Sequence, residues 1–348
     1  MIVPCIVLAA VGAMAVEPSS FYQQSMQEFV DYINSAQSLF KAGVPTKGFK
    51  PRFMDPKYLE LNKKTLLRKV PVVLAAEQNI TIPPRFDARE MWSNCKSIRL
   101  VRDQGNCGSC WAVAATSVMS DRLCIASGQR IQTLLSATDL LSCCKDCRKN
   151  GGDPCEGGER EEAWIYLNTH GICSGGPYNR TTGCKPYMFP PCDHVSIDMD
   201  LGHNFCKDKE TLPVPECAEE CLKGYGKTYA EDRVHGFGYE VDTDEEEIQK
   251  EIMTRGPVQA TFIVYADFGI YKSGIYKRVL DRKNKRLAPH TVKIIGWGVE
   301  NMNGRDVKYW LISNSWGPRW GENGFFRMIR GENHCLIESE VVAGQMIP

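Results

Sequence analysis

The sequence has no excess of either charge, with 42 Lys and Arg against 42 Asp and Glu. A balanced chain sets up no global field toward a polyanion, so neither nucleic acid nor an anionic membrane is expected as a partner. Beyond its first residues it lacks any apolar run of the 18 or more residues that a bilayer span needs. It also lacks a fixed-period repeat and a low-complexity tract, so a repeat architecture is not expected. Histidine is scarce, at six residues, which leaves few candidates for a catalytic base. Cysteine is absent from residues 16–81 and crowded between Cys95 and Cys221. That asymmetry predicts two parts of the chain with different fates.

What is present begins with an apolar leader, Met1 to Ala15, ending in Ala13-Met14-Ala15. The small-x-small ending reads as a signal-peptidase site, although no Lys or Arg precedes the apolar stretch. Sixteen cysteines agree with a secretory route, where disulfides persist, and an extracellular or lysosome-like destination is expected. Removing Cys5 with the leader leaves fifteen, an odd number, so at least one is free or pairs between molecules. Asn79 and Asn179 head Asn-x-Thr sequons and are candidate glycosylation sites.

Residues 16–81 read as a propeptide and residues 82–348 as the mature part. Within the first, Phe29, Ile33, Leu39 and Phe40 predict an amphipathic helix over Phe21 to Lys41, stopped by Gly43 and Pro45. The basic stretch Lys63 to Lys69 reads as exposed and extended. Further helices are predicted over Cys110 to Ser127, Glu159 to His170 and Asp244 to Arg255, each followed by glycine. The last third holds β-branched and aromatic runs at Val258–Tyr265, Val292–Trp297, Tyr309–Ser313 and Phe325–Ile329. A helical half followed by a strand-rich half predicts an α+β chain with a cleft between lobes.

The stretch Gln104-Gly105-Asn106-Cys107-Gly108-Ser109-Cys110-Trp111 sets a thiol at the first turn of a predicted helix. Unpaired N–H groups and the helix dipole favour a thiolate there. Gln104 can offer its amide, with the Cys110 backbone N–H, to a developing oxyanion. A nucleophilic thiol needs a base, and His290, at the start of an apolar strand, suits a rigidly held ring. The other five histidines lie near turns, a helix end or a cysteine-bounded loop. Asn314, in Ser313-Asn314-Ser315-Trp316-Gly317, can accept from the second ring nitrogen and fix its tautomer, with Trp316 shielding that bond.

With these residues in view, the chain resembles the cathepsin B-like members of the papain family. The likeness runs from the Phe29 to Gly43 region through Phe86-Asp87-Ala88-Arg89, the Cys110 motif and Cys155-Glu156-Gly157-Gly158. It continues through Gly256-Pro257-Val258 and His290 to Ile337 through Gly344. It implies a papain-like two-lobed fold, with a helical left lobe, a β-barrel-like right lobe and the active-site cleft between them. It implies Cys110 as nucleophile, His290 as base then acid, Asn314 as orienter and Gln104 as oxyanion donor. Gly157, Gly158, Trp316, His194 and Glu340 would meet substrate, Glu340 at the base of the S2 pocket, where it would attract arginine. The implied disulfides are Cys95–Cys124, Cys107–Cys155, Cys143–Cys217, Cys144–Cys147, Cys184–Cys221 and Cys192–Cys206, leaving Cys110, Cys173 and Cys335 as thiols. No cofactor or metal is implied. A monomer is expected, with protein and peptide substrates and with its own propeptide and cystatin-like proteins as inhibitors.

His290 and Asn314 follow Cys110 by 180 and 204 residues, a wide spacing that an insertion at 184–206 explains. The insertion matches the occluding loop of cathepsin B, where two adjacent histidines hold a substrate's C-terminal carboxylate. Here the positions read Asp193-His194-Val195. His194 remains to pair with Asp103, and the second histidine is lost, so endopeptidase action is expected to be favoured. Pro289, Thr291, Leu336 and Arg319 also depart from the family's usual residues. Tyr309 to Trp316 resembles a tract of blood-digesting worm homologues, which suggests haemoglobin as a substrate. Three readings compete: a thiol-disulfide oxidoreductase using Cys107-x-x-Cys110 or Cys144-x-x-Cys147, zinc held by the Cys143–Cys155 cluster, and a catalytically silent homologue.

Overall fold

A computed structural model describes residues 18–44, 52–59, 72–73, 80–194, 206 and 212–348. The leader 1–15, the basic stretch 63–69, Asn79, Val195 and the rest of the insertion from 195 to 205 lie outside the described residues. Helices are α1 (Pro18–Ala36), α2 (Ala88–Met91), α3 (Lys96–Arg99), α4 (Cys110–Ala126), α5 (Ala137–Cys143), α6 (Arg160–Thr169), α7 (Tyr229–Asp232), α8 (Glu245–Arg255) and α9 (Ala266–Gly269). Strands are β1 (Phe40–Ala42), β2 (Val72–Val73), β3 (Phe86–Asp87), β4 (His235–Val241), β5 (Val258–Tyr265), β6 (Tyr271–Tyr276), β7 (Arg286–Met302), β8 (Arg305–Ser313), β9 (Phe325–Ile329) and β10 (Val341–Ile347).

Two large hydrophobic clusters divide the described residues, with a small third one at Cys173, Cys184 and Tyr229. One gathers around α4, with Trp111, Leu140 and Trp164, and the other around the strands, with Phe262, Trp297, Trp310 and Phe326. The apolar stripe expected on α4 is instead burial all round, since every residue from Cys110 to Cys124 is buried, the charged Asp121 and Arg122 within ion pairs. Arg122 ties the clusters together from α4, donating to the carbonyls of Gly256, Pro257 and Gly344 and pairing with Glu251 at 2.9 Å.

The sheet runs β1-β6-β9-β8-β7-β5-β10-β4-β2, with β3 added on β7. The class is α+β, as expected, but the sheet is open where a barrel-like lobe was expected. Its far end leaves the strand cluster for the helical one: a Cβ at Gly238 or Gly344 would lie 2.3 or 2.4 Å from the Trp164 side chain. Only glycine allows β4 and β10 to lie flat on α6, and packed there the end cannot curl back to close a barrel. Both terminal strands of the path, β1 and β2, come from the segment read as a propeptide.

The predicted N-terminal helix is shorter than its apolar spacing suggests. It stops at Ala36 because the Gln37 side chain accepts from the Leu39 and Phe40 N–H groups while donating to the Ile33 carbonyl. Phe40 therefore enters β1 and packs, buried, on Tyr271 and Tyr276. The other predicted helices and strands form within a few residues of their expected bounds, except that the run expected at Val292–Trp297 is the middle of the much longer β7, Arg286–Met302.

Candidate active site

Cys110 is the first residue of α4. The approach to it is fixed by glycine. Gly105 takes φ +61°, and a Cβ at Gly108 would lie 2.3 Å from the Cys155 carbonyl oxygen, to which the Gly108 N–H donates at 2.8 Å. The Cys107–Cys155 disulfide clamps the same spot. All six pairs implied by the resemblance are formed, and Cys110, Cys173 and Cys335 are the free cysteines among the described residues. Cys143, Cys144, Cys147 and Cys155 are thus all bridged, which removes the thiolates that the zinc reading needs, and Cys107 is bridged to Cys155 rather than to Cys110, so these two do not form a C-x-x-C couple.

His290 lies inside β7, not at its start, because the strand extends back to Arg286. Its Nε2 is 2.8 Å from Asn314 Oδ1. Asn314 Oδ1 also takes the Ser315 N–H at 2.8 Å, so this atom is an acceptor and His290 Nε2 carries the proton. Nδ1 is left with its lone pair and no hydrogen-bond partner. Trp316 lies over the imidazole with ring centroids 4.8 Å apart. Across the seam, the Thr291 N–H points at Cys110 Sγ at 3.5 Å. The sequence places Thr291 only as a neighbour of His290, and its contact with the thiol comes from the β7 strand geometry.

Gln104 is fully buried. Ser315 Oγ donates to its Oε1 at 2.7 Å and so fixes the amide's orientation. The Nε2 group donates to the Cys107 carbonyl at 2.8 Å and to the Arg52 carbonyl at 3.1 Å. The second acceptor belongs to the N-terminal segment. Residues 52–58 of that segment lie along the seam between the two clusters. Phe53 sets its ring edge against His290 and Trp316 at 6.3 and 5.8 Å, Met54 is buried, and Tyr58 covers Gly157. Gly158 faces inward, where a Cβ would meet the Trp111 ring at 2.4 Å.

Covered in this way, both candidate reacting groups are neutral. Burial pushes the Cys110 thiol up to about 12, against smaller opposing contributions from backbone N–H groups of Thr291 and Trp111. Burial also lowers His290 to about 4, although its hydrogen bond to Asn314 works the other way.

His194 is buried and stacks on Trp316 at 5.9 Å. Its Nε2 lies 3.5 Å from Asp103 Oδ1, an ion-pair distance if the ring is protonated. Arg319 gains a partner that the sequence did not suggest, forming an ion pair with Asp193 at the base of the insertion. Glu340 meets Arg160, the first residue of α6, in a second unforeseen pair. Its one trace in the sequence is an arginine alone among acids in Glu159-Arg160-Glu161-Glu162. Asn179 is exposed, with φ +55°.

The family described as "Papain family cysteine protease" matches residues 82–345. "Cathepsin B-like cysteine proteinase 5" of Caenorhabditis elegans is 42% identical over 324 residues, covering 91% of this chain and 89% of that one. "Cathepsin B-like cysteine proteinase" of Schistosoma japonicum is 46% identical over 275 residues, covering 79% and 76%. Among solved structures, procathepsin B S9 from Trypanosoma congolense superposes with a TM-score of 0.75 at 33% identity, over 92% of this chain and 98% of that one. A protein so matched over both its N-terminal segment and its two clusters belongs to the cathepsin B-like branch of the papain family, cysteine proteases that carry a propeptide.

Proposed function

We propose that this chain is made as a secretory zymogen and that its mature part, from about residue 82, is an endopeptidase using Cys110, His290, Asn314 and Gln104. The observation that carries this reading is the Arg52 carbonyl held by the Gln104 amide at 3.1 Å. A peptide carbonyl from the propeptide occupies the place where a substrate carbonyl would develop its oxyanion. Once the propeptide leaves, water reaches the seam and the burial that keeps Cys110 and His290 neutral is relieved. His290 Nδ1 takes the Cys110 proton, and the thiolate attacks the substrate carbonyl carbon. Gln104 Nε2 and the Cys110 N–H hold the oxyanion. Imidazolium His290 then protonates the leaving amine, and water, deprotonated by His290, releases the acyl group. Asn314 keeps Nε2 protonated throughout.

The same reading assigns Gly157 and Gly158 to the substrate backbone, Glu340 to the base of the S2 pocket, and His194 and Trp316 to the leaving-group side. With valine at 195 a substrate's C-terminal carboxylate has one histidine donor in place of two. A charge-assisted hydrogen bond contributes about 1.5–3 kcal/mol, so carboxypeptidase action falls by roughly tenfold or more. Wild-type enzyme should therefore turn over a peptide and its C-terminal amide at equal rates, and a strong preference for the free acid would sink this part. Glycans at Asn79 and Asn179, removal of residues 1–15, a lysosome-like or extracellular destination, a monomeric state, inhibition by cystatin-like proteins and haemoglobin as a substrate belong to the same proposal. The decisive experiment labels the activated enzyme with an electrophilic thiol reagent and maps the modified peptide. Modification of Cys110 and loss of peptidase activity in Cys110→Ala are expected; labelling at Cys173 or Cys335, or an active Cys110→Ala, would overturn the assignment.

A further inference from the structure

The wall of the pocket that receives Met54 leads to a buried ion pair. Met54 is 3% exposed. A Cβ at Gly157 would lie 3.1 Å from Met54 Cβ, and Met54 Sδ is 4.0 Å from Thr291 Oγ1. From Thr291 the wall continues to Thr261, hydroxyl to hydroxyl at 3.0 Å, and from the Thr261 N–H to the Glu340 carbonyl at 3.1 Å. Glu340 heads into β10 here, and its carboxylate meets the Arg160 guanidinium. Arg160 stands two residues beyond Gly158 and also binds Glu161 Oε1 at 2.6 Å. Glu340 and Arg160 are 9% and 8% exposed. Two further acids, Glu159 and Glu240, also act on the Arg160 charge, and Glu159 has Lys149 at 3.3 Å.

We propose that Arg160 determines the selectivity of this pocket, by neutralising Glu340 from within the protein so that the enzyme takes an uncharged side chain there and rejects arginine. The proposal rests on the peptidase reading above, and it takes the pocket beside Gly157, with Glu340 at its base, as the S2 pocket for the second residue on the acyl side of the cleaved bond. Without Arg160, the buried Glu340 carboxylate would lose the guanidinium that neutralises it, and a substrate guanidinium could take that place. With Arg160 in place, an incoming arginine must displace a guanidinium already desolvated on two carboxylates or sit beside it at like charge. Either course is unfavourable, since like charges brought together at an interface are strongly disfavoured. The side chain that the pocket holds in this structure is a thioether with no charge, as the proposal requires.

The test compares kcat/KM of the activated enzyme on three fluorogenic peptides with arginine at the cleaved bond and Phe, Arg or Glu before it. Wild type should favour Phe over Arg by about tenfold or more, on the scale of a single pocket contact. Arg160→Met should raise the Arg-to-Phe ratio by about tenfold, because Glu340 is released to the substrate. Glu340→Gln, which keeps the arginine and serves if Arg160→Met folds poorly, should lower that ratio further and raise the Glu-to-Phe ratio. Equal use of Arg and Phe by wild type, or ratios unmoved in both variants, would overturn the assignment of Arg160 while leaving the peptidase reading intact. No cleavage of any peptide, with Cys110 unlabelled, would overturn the peptidase reading and the pocket assignment with it.

Discussion

Asn314 Oδ1 takes one proton from His290 Nε2 and one from the Ser315 N–H, so a single atom sets which imidazole nitrogen faces the thiol. Asn314→Ala removes that constraint without touching Cys110. Its kcat should fall by about 100-fold with KM little changed, the pattern of a lost orienting contact, and steady-state kinetics will show it. A different residue carries strain. Leu336 has φ +70°, next to Cys335 at +52°, and the left-handed region costs a non-glycine residue roughly 1–2 kcal/mol. Glycine there loses more freedom on folding, which returns roughly 0.5–1 kcal/mol of the gain. Leu336→Gly should therefore stabilise the protein by about 0.5–1 kcal/mol in denaturant unfolding. The catalytic candidates were legible because a cysteine beside glycine at a helix start, a strand histidine and an Asn-Ser-Trp tract are local patterns. Arg160 with Glu340 was not, because 180 residues separate them in sequence and only the placement of β10 beside α6 joins them.

The approach to α4 has no room for a methyl group. A Cβ at Gly108 would lie 2.3 Å from the Cys155 carbonyl oxygen and 2.8 Å from that of Phe53, both main-chain atoms. Gly108→Ala must therefore shift the strap that presents Cys110. We expect a destabilisation of about 1–3 kcal/mol, as for overpacking elsewhere, together with a drop in labelling of Cys110 by a thiol reagent. On the N-terminal segment, Phe53 is the ring set against both His290 and Trp316. A synthetic peptide of the propeptide carrying Phe53→Ala should inhibit the mature enzyme at least about tenfold less well, since an aromatic contact is worth ~0.5–1.5 kcal/mol beyond its burial. Helix α1 shows what element-scale patterns miss. Leu39 and Phe40 keep helical spacing, yet the Gln37 side chain turns the chain and commits Phe40 to a strand. Strands of two or three residues, such as β1 and β2, have no periodicity for a sequence to display.

At the scale of the whole molecule, the buried state of His290 couples closure of the cleft to pH. Its ordinary value of 6.5 falls to about 4 in the closed form. As pH drops through that interval, opened or unfolded chains bind a proton that the closed form refuses, so closure is weakened. The stabilisation is complete above about pH 6.5 and lost toward pH 4, and for this one group it amounts to roughly 3 kcal/mol. Burial lowers His334 to about 4 as well, with the same sign. Full-length Cys110→Ala, which on this reading cannot cut itself, should show a lower melting temperature at pH 4.5 than at pH 7, and a propeptide added as a separate peptide to the mature Cys110→Ala part should dissociate more readily at pH 4.5. An unchanged melting temperature across that range would contradict the coupling.

The propeptide also finishes the sheet. It supplies the outermost strand at each end, β1 pairing antiparallel with β6 and β2 pairing parallel with β4. Its removal uncovers a row of unpaired backbone donors and acceptors on two separate margins, the feature that recruits foreign strands. Activation thus trades a molecule with guarded margins for one that can be extended at both ends. Residues 82–348 refolded alone should aggregate at concentrations where the full chain stays dispersed, and addition of a peptide spanning β1 should restore dispersion by covering the β6 margin.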